Sequence, residues 1–367
     1  MEDTINSHKN NSSYDNLASS PEDRVKAFIS HWHEQWSKTK RTMGDVEDFD
    51  FDYWGEQISE VDKTHFFPGS SSNSAGSFMS KATYDPKTEK IAEYEIRADS
   101  AQVFTEIYDE DPEPSKYHVY DLKMDAKKGW KIKDIFTLYD PPKSPVIDID
   151  KHAEILGMSS PDAPFMDRED YFDLDENILF QQDRNINTPD LGEGIAKLEQ
   201  IGKLRVTSGI LGILDFGYDI YDFEPLQKKI KPGDYPVETV TIYNRVAGLR
   251  VKFSQSEKPV KWYAANTPSC NGVYGVDAGN LAIFDVSSLL SLNHLGKEKI
   301  FYEWYQSGKP DLLSMTDKED CVISPSGFGD GAYGAFWGVN QQDEAVSLYI
   351  DFLILVDETE DGIFESI

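Results

Sequence analysis

The run Ala345 to Val356 places Val346, Leu348, Ile350, Phe352, Ile354 and Val356 at alternate positions. A period of two gathers these side chains on one face of an extended strand, which a helix cannot do. The chain must therefore hold a sheet with a wide buried face, and this segment is expected to be its central strand. Shorter strand-like runs precede it: Lys203 to Thr207, Val237 to Tyr243, Gly248 to Phe253, Val260 to Ala265, Val273 to Asp277 and Leu281 to Asp285. Between them one short helix is expected over Val286 to Leu295, stopped by Gly296.

The N-terminal part is patterned differently. Residues 1–20 have the polar composition of a flexible tail. Ser20 can cap a helix with Pro21 at its first position and Glu22 and Asp23 in its first turn. Val25, Phe28, Ile29, Trp32 and Trp36 then recur at helical spacing, giving a heavily aromatic face that needs a large partner. Ile91 to Arg97, Ala101 to Tyr108, Tyr117 to Met124 and Gly129 to Phe136 supply it as antiparallel strands. Within them Ala92, Tyr94 and Ile96, or Tyr120, Leu122 and Met124, are expected to face the core. Three prolines between Tyr139 and Pro145 mark a boundary. The organisation expected is a tail (1–20), a first domain (21–140), a linker (141–164) and a mainly-β domain (165–367).

Composition narrows the function. Against 36 Lys and Arg stand 66 Asp and Glu, a formal charge of -30, and both domains share the excess. Such a chain repels phosphate backbones and anionic lipid, so nucleic acid and membrane surfaces are excluded as partners, and like-charged copies favour a monomer before binding. A basic protein is the partner that the charge invites. No secretory leader or membrane-length apolar run is visible, which reads as cytoplasmic. Cys270 and Cys321 lie far apart without a C-x-x-C or a histidine at ligand spacing, so they read as reduced core thiols rather than metal ligands. His31 and His33 fall about 200° apart round the first helix and cannot chelate one ion; they read as solvent-side residues. No metal site and no cofactor are expected.

Catalytic signatures are missing: there is no nucleophile elbow, phosphate loop, zincin helix or dinucleotide fingerprint. The glycine-rich stretch Ser326 to Gly331 lacks a lysine and carries Asp330, so it reads as a tight turn. Asp277, Asp330 and Asp351 sit among glycines or apolar residues, and two uses are open to them. A pair brought together could act as acid and base on a small molecule or glycan; alternatively, they accept turn amides or pair with Arg245, Arg250 or Lys252. His118 and Asp121 are the corresponding candidates in the first domain.

Acid interleaved with aromatics forms the other group of candidates. Asp45, Glu47, Asp48, Asp50 and Asp52 surround Phe49, Phe51, Tyr53 and Trp54; Asp109, Glu110 and Asp111 follow Tyr108; Asp170, Asp173 and Asp175 bracket Tyr171 and Phe172. Such clusters can steer a basic partner and then hold it with buried rings, or can be solvated loops whose aromatics tuck beneath the domain.

Several residues also carry a resemblance. Phe28, Ile29 and Trp36, Tyr84-Asp85-Pro86, Tyr117 to Leu122 and Gly129-Trp130-Lys131-Ile132 make the first domain similar to bacterial immunity proteins of polymorphic toxin systems with the nuclear transport factor 2-like fold. The second domain resembles an uncharacterised bacterial domain-of-unknown-function family. That likeness rests on Tyr235-Pro236, Trp262, Asp277, Gly279, Asp330-Gly331 and Asp351, and departs from the family pattern at Asp215-Phe216. The resemblance implies an α+β chain: a cone of helices on a bent antiparallel sheet, then a sandwich or barrel-like β domain. It further implies a non-enzymatic immunity protein that blocks the active site of a cognate toxin delivered by type VI or other contact-dependent secretion, with paired-carboxylate catalysis as the alternative.

Overall fold

The structure is a computed structural model and describes residues 19–43, 50–70, 74, 78–109, 111–188, 191–218, 220, 222–317 and 320–367. The chain divides into two compact units, 1–142 and 143–367. Both combine helices with mostly antiparallel sheets, an α+β architecture.

In the first unit, helix α1 (Pro21–Met43) starts where Ser20 Oγ accepts the Asp23 N–H at 3.1 Å, with Glu22 and Asp23 at the positive end of its dipole. Helix α2 (Phe51–His65) is capped by Asp50, which accepts the Tyr53 N–H at 3.0 Å. Strands β1 (Glu89–Arg97), β2 (Ser100–Ile107), β3 (Lys116–Asp125) and β4 (Gly129–Leu138) form a meander in sequence order. Phe28 meets Tyr84, Phe66 and Tyr120 edge-on, and Trp32 meets Trp54 edge-on at 5.4 Å, so the aromatic stripe of α1 locks both helices to the sheet.

Three expectations need correction here. Trp54, expected in a partner-binding cluster, is a core residue because α2 turns it onto Trp32. Tyr94 and Ile96 are about half exposed: they pair with buried Val103 and Ala101, but β1 is the sheet edge and their end of it is left uncovered. His31 is buried, not solvent-side.

His31 belongs to a polar chain inside this core. The Arg24 guanidinium donates to Trp130 O (2.7 Å) and lies 3.3 Å from His65 Nδ1. Arginine has no acceptor, so His65 Nδ1 must offer its lone pair and its proton sits on Nε2, which donates to His31 Nδ1 at 3.2 Å. Burial, then the Arg24, His31 and Lys131 charges, hold the His65 imidazole well below its usual range.

In the second unit, helix α3 (His152–Gly157) precedes the short strand β5 (Phe172–Asp173) and the single turn α4 (Glu176–Leu179). Segment 141–164 is not a free linker from Val146 onward. Val146, Ile147 and Ile155 are buried with helices that come later in the chain, and Val146 N–H donates to Leu292 O at 3.0 Å. Strands β6 (Arg184–Thr188), β7 (Gly192–Val206), β8 (Leu211–Leu214), β9 (Gly233–Ile242), β10 (Arg245–Lys252), β11 (Lys261–Ala264), β12 (Val273–Val276) and β13 (Asn280–Asp285) follow. Next come helices α5 (Val286–Leu290) and α6 (His294–Ser307), then β14 (Asp311–Ser314), β15 (Asp320–Pro325), β16 (Gly331–Val339), β17 (Ala345–Asp351), β18 (Val356–Glu358) and β19 (Phe364–Ser366).

An eight-stranded sheet runs β11-β16-β17-β10-β9-β7-β6, with β12 also on β16; a four-stranded sheet runs β14-β15-β13-β8. Leu249, Val251, Leu348, Ile350 and Trp337 of the first share one core with Ile213, Leu281, Ile283 and Val322 of the second. The far face of the smaller sheet packs Phe284, Cys321 and Ile323 on Leu289, Ile300 and Trp304 of the helices.

The alternation from Val346 holds only to Ile350. Asp351 Oδ1 accepts the Leu353 N–H at 2.8 Å, Leu353 turns to φ 55°, and the strand ends. Gly296 does not stop a helix, because Asn293 caps a new one by accepting the Gly296 N–H at 2.7 Å; that helix stops at Gly308, in the left-handed region at φ 59°.

Two outcomes follow for the first unit. Trp54→Ala should lower its stability by about 3–5 kcal/mol in urea denaturation. A depressed histidine pKa leaves stability intact above about 6.5 and removes it as pH falls, since the unfolded chain takes the proton first. The first unit should therefore unfold at lower urea at pH 5 than at pH 7, and His65→Gln should remove much of that difference.

Candidate functional site

Register dictates what meets on the second face of the large sheet. Cross-strand partners share a face, so Trp262, Gly338, Ser347 and Lys252 form one row across β11, β16, β17 and β10. Phe336, Tyr349, Arg250 and Glu238 form the next, and Gly334, Asp351, Gly248 and Val240 the third. Polar groups gather at the end where the first two rows meet Lys252 and Arg250.

Residues 172–180 lie over this face and bring Glu176 down onto it. Asp175 makes the turn by accepting the Asn177 N–H at 2.7 Å. The Glu176 carboxylate then accepts Arg250 Nη1 at 3.0 Å, Ser347 Oγ at 2.7 Å and Trp262 Nε1 at 3.2 Å, with its side chain 1% exposed. Arg250 also donates through Nε (3.0 Å) and Nη2 to Glu238 Oε2, and its guanidinium stacks on Phe180, 4.1 Å from the ring centroid. Lys252 Nζ stands 3.6 Å from the other Glu238 oxygen. Two cations and two carboxylates thus neutralise one another in a largely buried cluster, the arrangement in which paired charges are tolerated.

Close approach requires glycine here. A Cβ on Gly338 would collide with Ser347 Oγ and come within 2.5 Å of Glu176 Oε2, and one on Gly248 would meet Leu179 Cδ2 at 2.7 Å. Beside the cluster opens a cleft of about 380 Å³, floored by Glu176, Phe180, Arg250 and Ser347 and rimmed by 181–182 and 254–259.

The expected candidates are scattered over other places. Asp45, Glu47, Asp48 and Glu110 lie outside the described residues. Asp50 is a helix cap, Asp52 is exposed and Tyr53 half-buried; Asp109 accepts the Ser115 hydroxyl at 2.8 Å and Asp111 is exposed. Asp170 is exposed, Asp173 pairs with Arg168 at 2.7 Å, and Asp175 caps α4. Tyr235 packs edge-on against Phe253 and Pro236 is buried in β9. Gly279 takes φ 67°, Gly331 opens β16, and Asp277 and Asp330 are exposed turn residues. The turn bearing Asp277 is organised by Asp215, which accepts the Asp277 and Ala278 N–H groups at 2.7 and 2.6 Å and Asn280 Nδ2 at 2.8 Å. Asp277 and Asp330 flank the paired residues Val276 and Gly331, and Asp351 is buried in β17.

In the first unit His118 Nδ1 lies 3.0 Å from Glu89 Oε1, which also accepts the Tyr120 and Thr105 hydroxyls; the His118 and Glu89 side chains are sealed from solvent. Asp121 accepts Gln102 Nε2 at 2.7 Å. Among the described residues no three of His, Cys, Asp and Glu are grouped to hold a metal ion, and no helix is long and apolar enough to cross a membrane.

Sequence reasoning does not find Glu176 and Glu238 as site residues: Glu176 follows Asp173 and Asp175 as one more carboxylate of an acidic run, and Glu238 sits between Val237 and Thr239 with nothing nearby in sequence to signal its partner.

Residues 204–350 match a family described as "Protein of unknown function (DUF4241)". The match takes in Trp262, Arg250, Lys252, Glu238 and Ser347, while Glu176 comes from outside it. The chain is similar to no curated protein and to no solved structure.

Gly338→Ala should displace the Glu176 carboxylate and cost at least about 1 kcal/mol in urea denaturation, whereas Gly275→Ala, with nothing within 4 Å of its Cβ, should not. Burial pushes the Asp351 carboxyl up to about 7 from an ordinary 3.8. The fold keeps a proton that the unfolded chain releases, so stability is full below pH 3.8 and falls as pH rises to about 7. Asp351→Asn should stabilise the second unit at pH 8 by up to about 4 kcal/mol and leave it unchanged near pH 4.

Proposed function

We propose that the chain is an acidic binding protein that neutralises a basic, secreted antibacterial toxin by covering its active site, as immunity proteins of contact-dependent or type VI systems do. The observation that carries this reading is the surface of residues 162–173. Asp162, Asp167, Asp170 and Asp173 are exposed there, and between them Met166 and Tyr171 present apolar area to solvent. Exposed carboxylates accelerate encounter with a cation-rich partner, and adjacent apolar groups supply the short-range attraction that slows release. A chain carrying -30 extends that steering well beyond the contact itself.

Two helices on a four-stranded antiparallel sheet support a nuclear transport factor 2-like cone for the first unit, and two sheets sharing one core support a sandwich for the second. On this reading Asp277 and Asp330 are turn residues, the protein uses no cofactor, and it works in the cytoplasm as a monomer that captures one toxin.

The test is co-expression with any basic toxin domain that a neighbouring gene encodes. Rescue of growth and a 1:1 complex on sizing are expected. Replacing Asp162, Asp167, Asp170 and Asp173 together by Asn should slow association at least about tenfold at low salt and flatten its dependence on ionic strength. Absence of both rescue and complex would overturn the reading.

A further inference from the structure

We infer that the cleft beside Arg250 and Glu176 is a binding site for a neutral, polyhydroxylated small molecule, of which a mono- or disaccharide is the fitting class. The inference is independent of the toxin reading, since it concerns a concave site in the second unit and not the acidic surface.

Charge is the first argument. A binding site for an anion or a cation keeps an uncompensated charge to meet it; the floor of this cleft does not, and the two charged residues on its rim, Glu257 and Lys258, are of opposite sign. Three N–H groups of Arg250 already go to Glu176 and Glu238, and the Lys252 ammonium stands against the remaining Glu238 oxygen. An incoming anion would face Glu176 and Glu238 at close range; an incoming cation would face Arg250 and Lys252. A neutral ligand meets neither penalty, and it can still use the unsatisfied donors of Arg250 and Lys252 for hydrogen bonds strengthened by charge.

The second argument is the polarity of the walls. Sites for drug-like ligands are lined mainly by apolar side chains. Here Asn177, Gln181, Gln182, Ser254, Gln255 and Ser256 line the cleft, and these are amides and hydroxyls that both donate and accept. A hydroxyl group has the same dual character, so a surface covered with hydroxyls is matched by this one, whereas an apolar ligand would strip water from these groups and put nothing in its place. Size is the third argument: about 380 Å³ is at the small end of ligand sites, adequate for one or two sugar rings. The floor is pre-formed, because Glu176, Ser347, Trp262 and Arg250 hold one another in place before any ligand arrives, which lowers the ordering cost of binding.

Calorimetric titration of the full chain with glucose, N-acetylglucosamine, maltose and chitobiose tests this, with glucose 6-phosphate and glucosamine as charged counterparts. At least one neutral sugar is expected to bind with Kd of about 1 mM or tighter, and its charged counterpart at least about tenfold more weakly. Gln182→Ala with Gln255→Ala, both exposed and so harmless to folding, should weaken that sugar about tenfold while the thermal midpoint of the free protein stays unchanged. The inference is overturned if no neutral sugar binds, if a charged counterpart binds more tightly, or if the double variant binds as well as the parent.

Discussion

Arg250 sits on a sheet face between Tyr349 and Glu238, and what lies above and beside it in the second unit depends on how its charge is met. Glu238 neutralises it from the neighbouring strand, within the sheet. Glu176 neutralises it from outside, and to do so draws residues 172–180 down across three strands, burying Phe172, Leu179 and Phe180 on the way. Removing either carboxylate would leave a guanidinium that is nine-tenths buried with half its counter-charge, which costs more than the intact pair contributes. The apolar cover and the polar anchor are therefore one device. Gly338 and Gly248 make the room, the ion pairs set the register of the cover on the sheet, and the cleft is what remains beside it.

The first unit also buries cations. Arg24 and Lys131 donate there to the backbone carbonyls of Trp130 and Thr64, and Arg24 lies against the ring of His65. Burial and these neighbouring cations disfavour the charged form of His65, so its contribution to stability is lost in acid. The second unit holds its excess proton on Asp351 and weakens in the opposite direction. The contributions of His65 and Asp351 thus respond to pH with opposite sign.

Legibility followed locality. Ser20, Pro21, Glu22 and Asp23 announced α1, and the strands β1 to β4 were readable because turns such as Asp99-Ser100 lie next to the alternation that they interrupt. Strand β16 was not readable: Gly331, Gly334 and Gly338 give it the composition of a turn, and at Gly334 and Gly338 a side chain would run into Phe172 and Glu176, which lie on the strand from a segment more than 150 residues earlier. Gly296 misled for the same reason in reverse, since Asn293 turned an expected stop into a start. Among the site residues, the rows that unite Trp262, Ser347, Arg250 and Glu238 come from register, and register is a property of strand pairs that no single strand records.

What the sequence determined by itself was sign and period: a large negative charge, one amphipathic aromatic helix, and apolar alternation that commits most of the chain to antiparallel sheet. These are sums over composition or repeats over a few neighbours, and both can be read along a line. Tertiary structure alone decided which carboxylates are exposed, which cap a turn and which, like Glu176, neutralise a buried cation. The energy of a buried charge depends on what stands within a few ångströms of it, and that neighbourhood exists only when distant strands have paired.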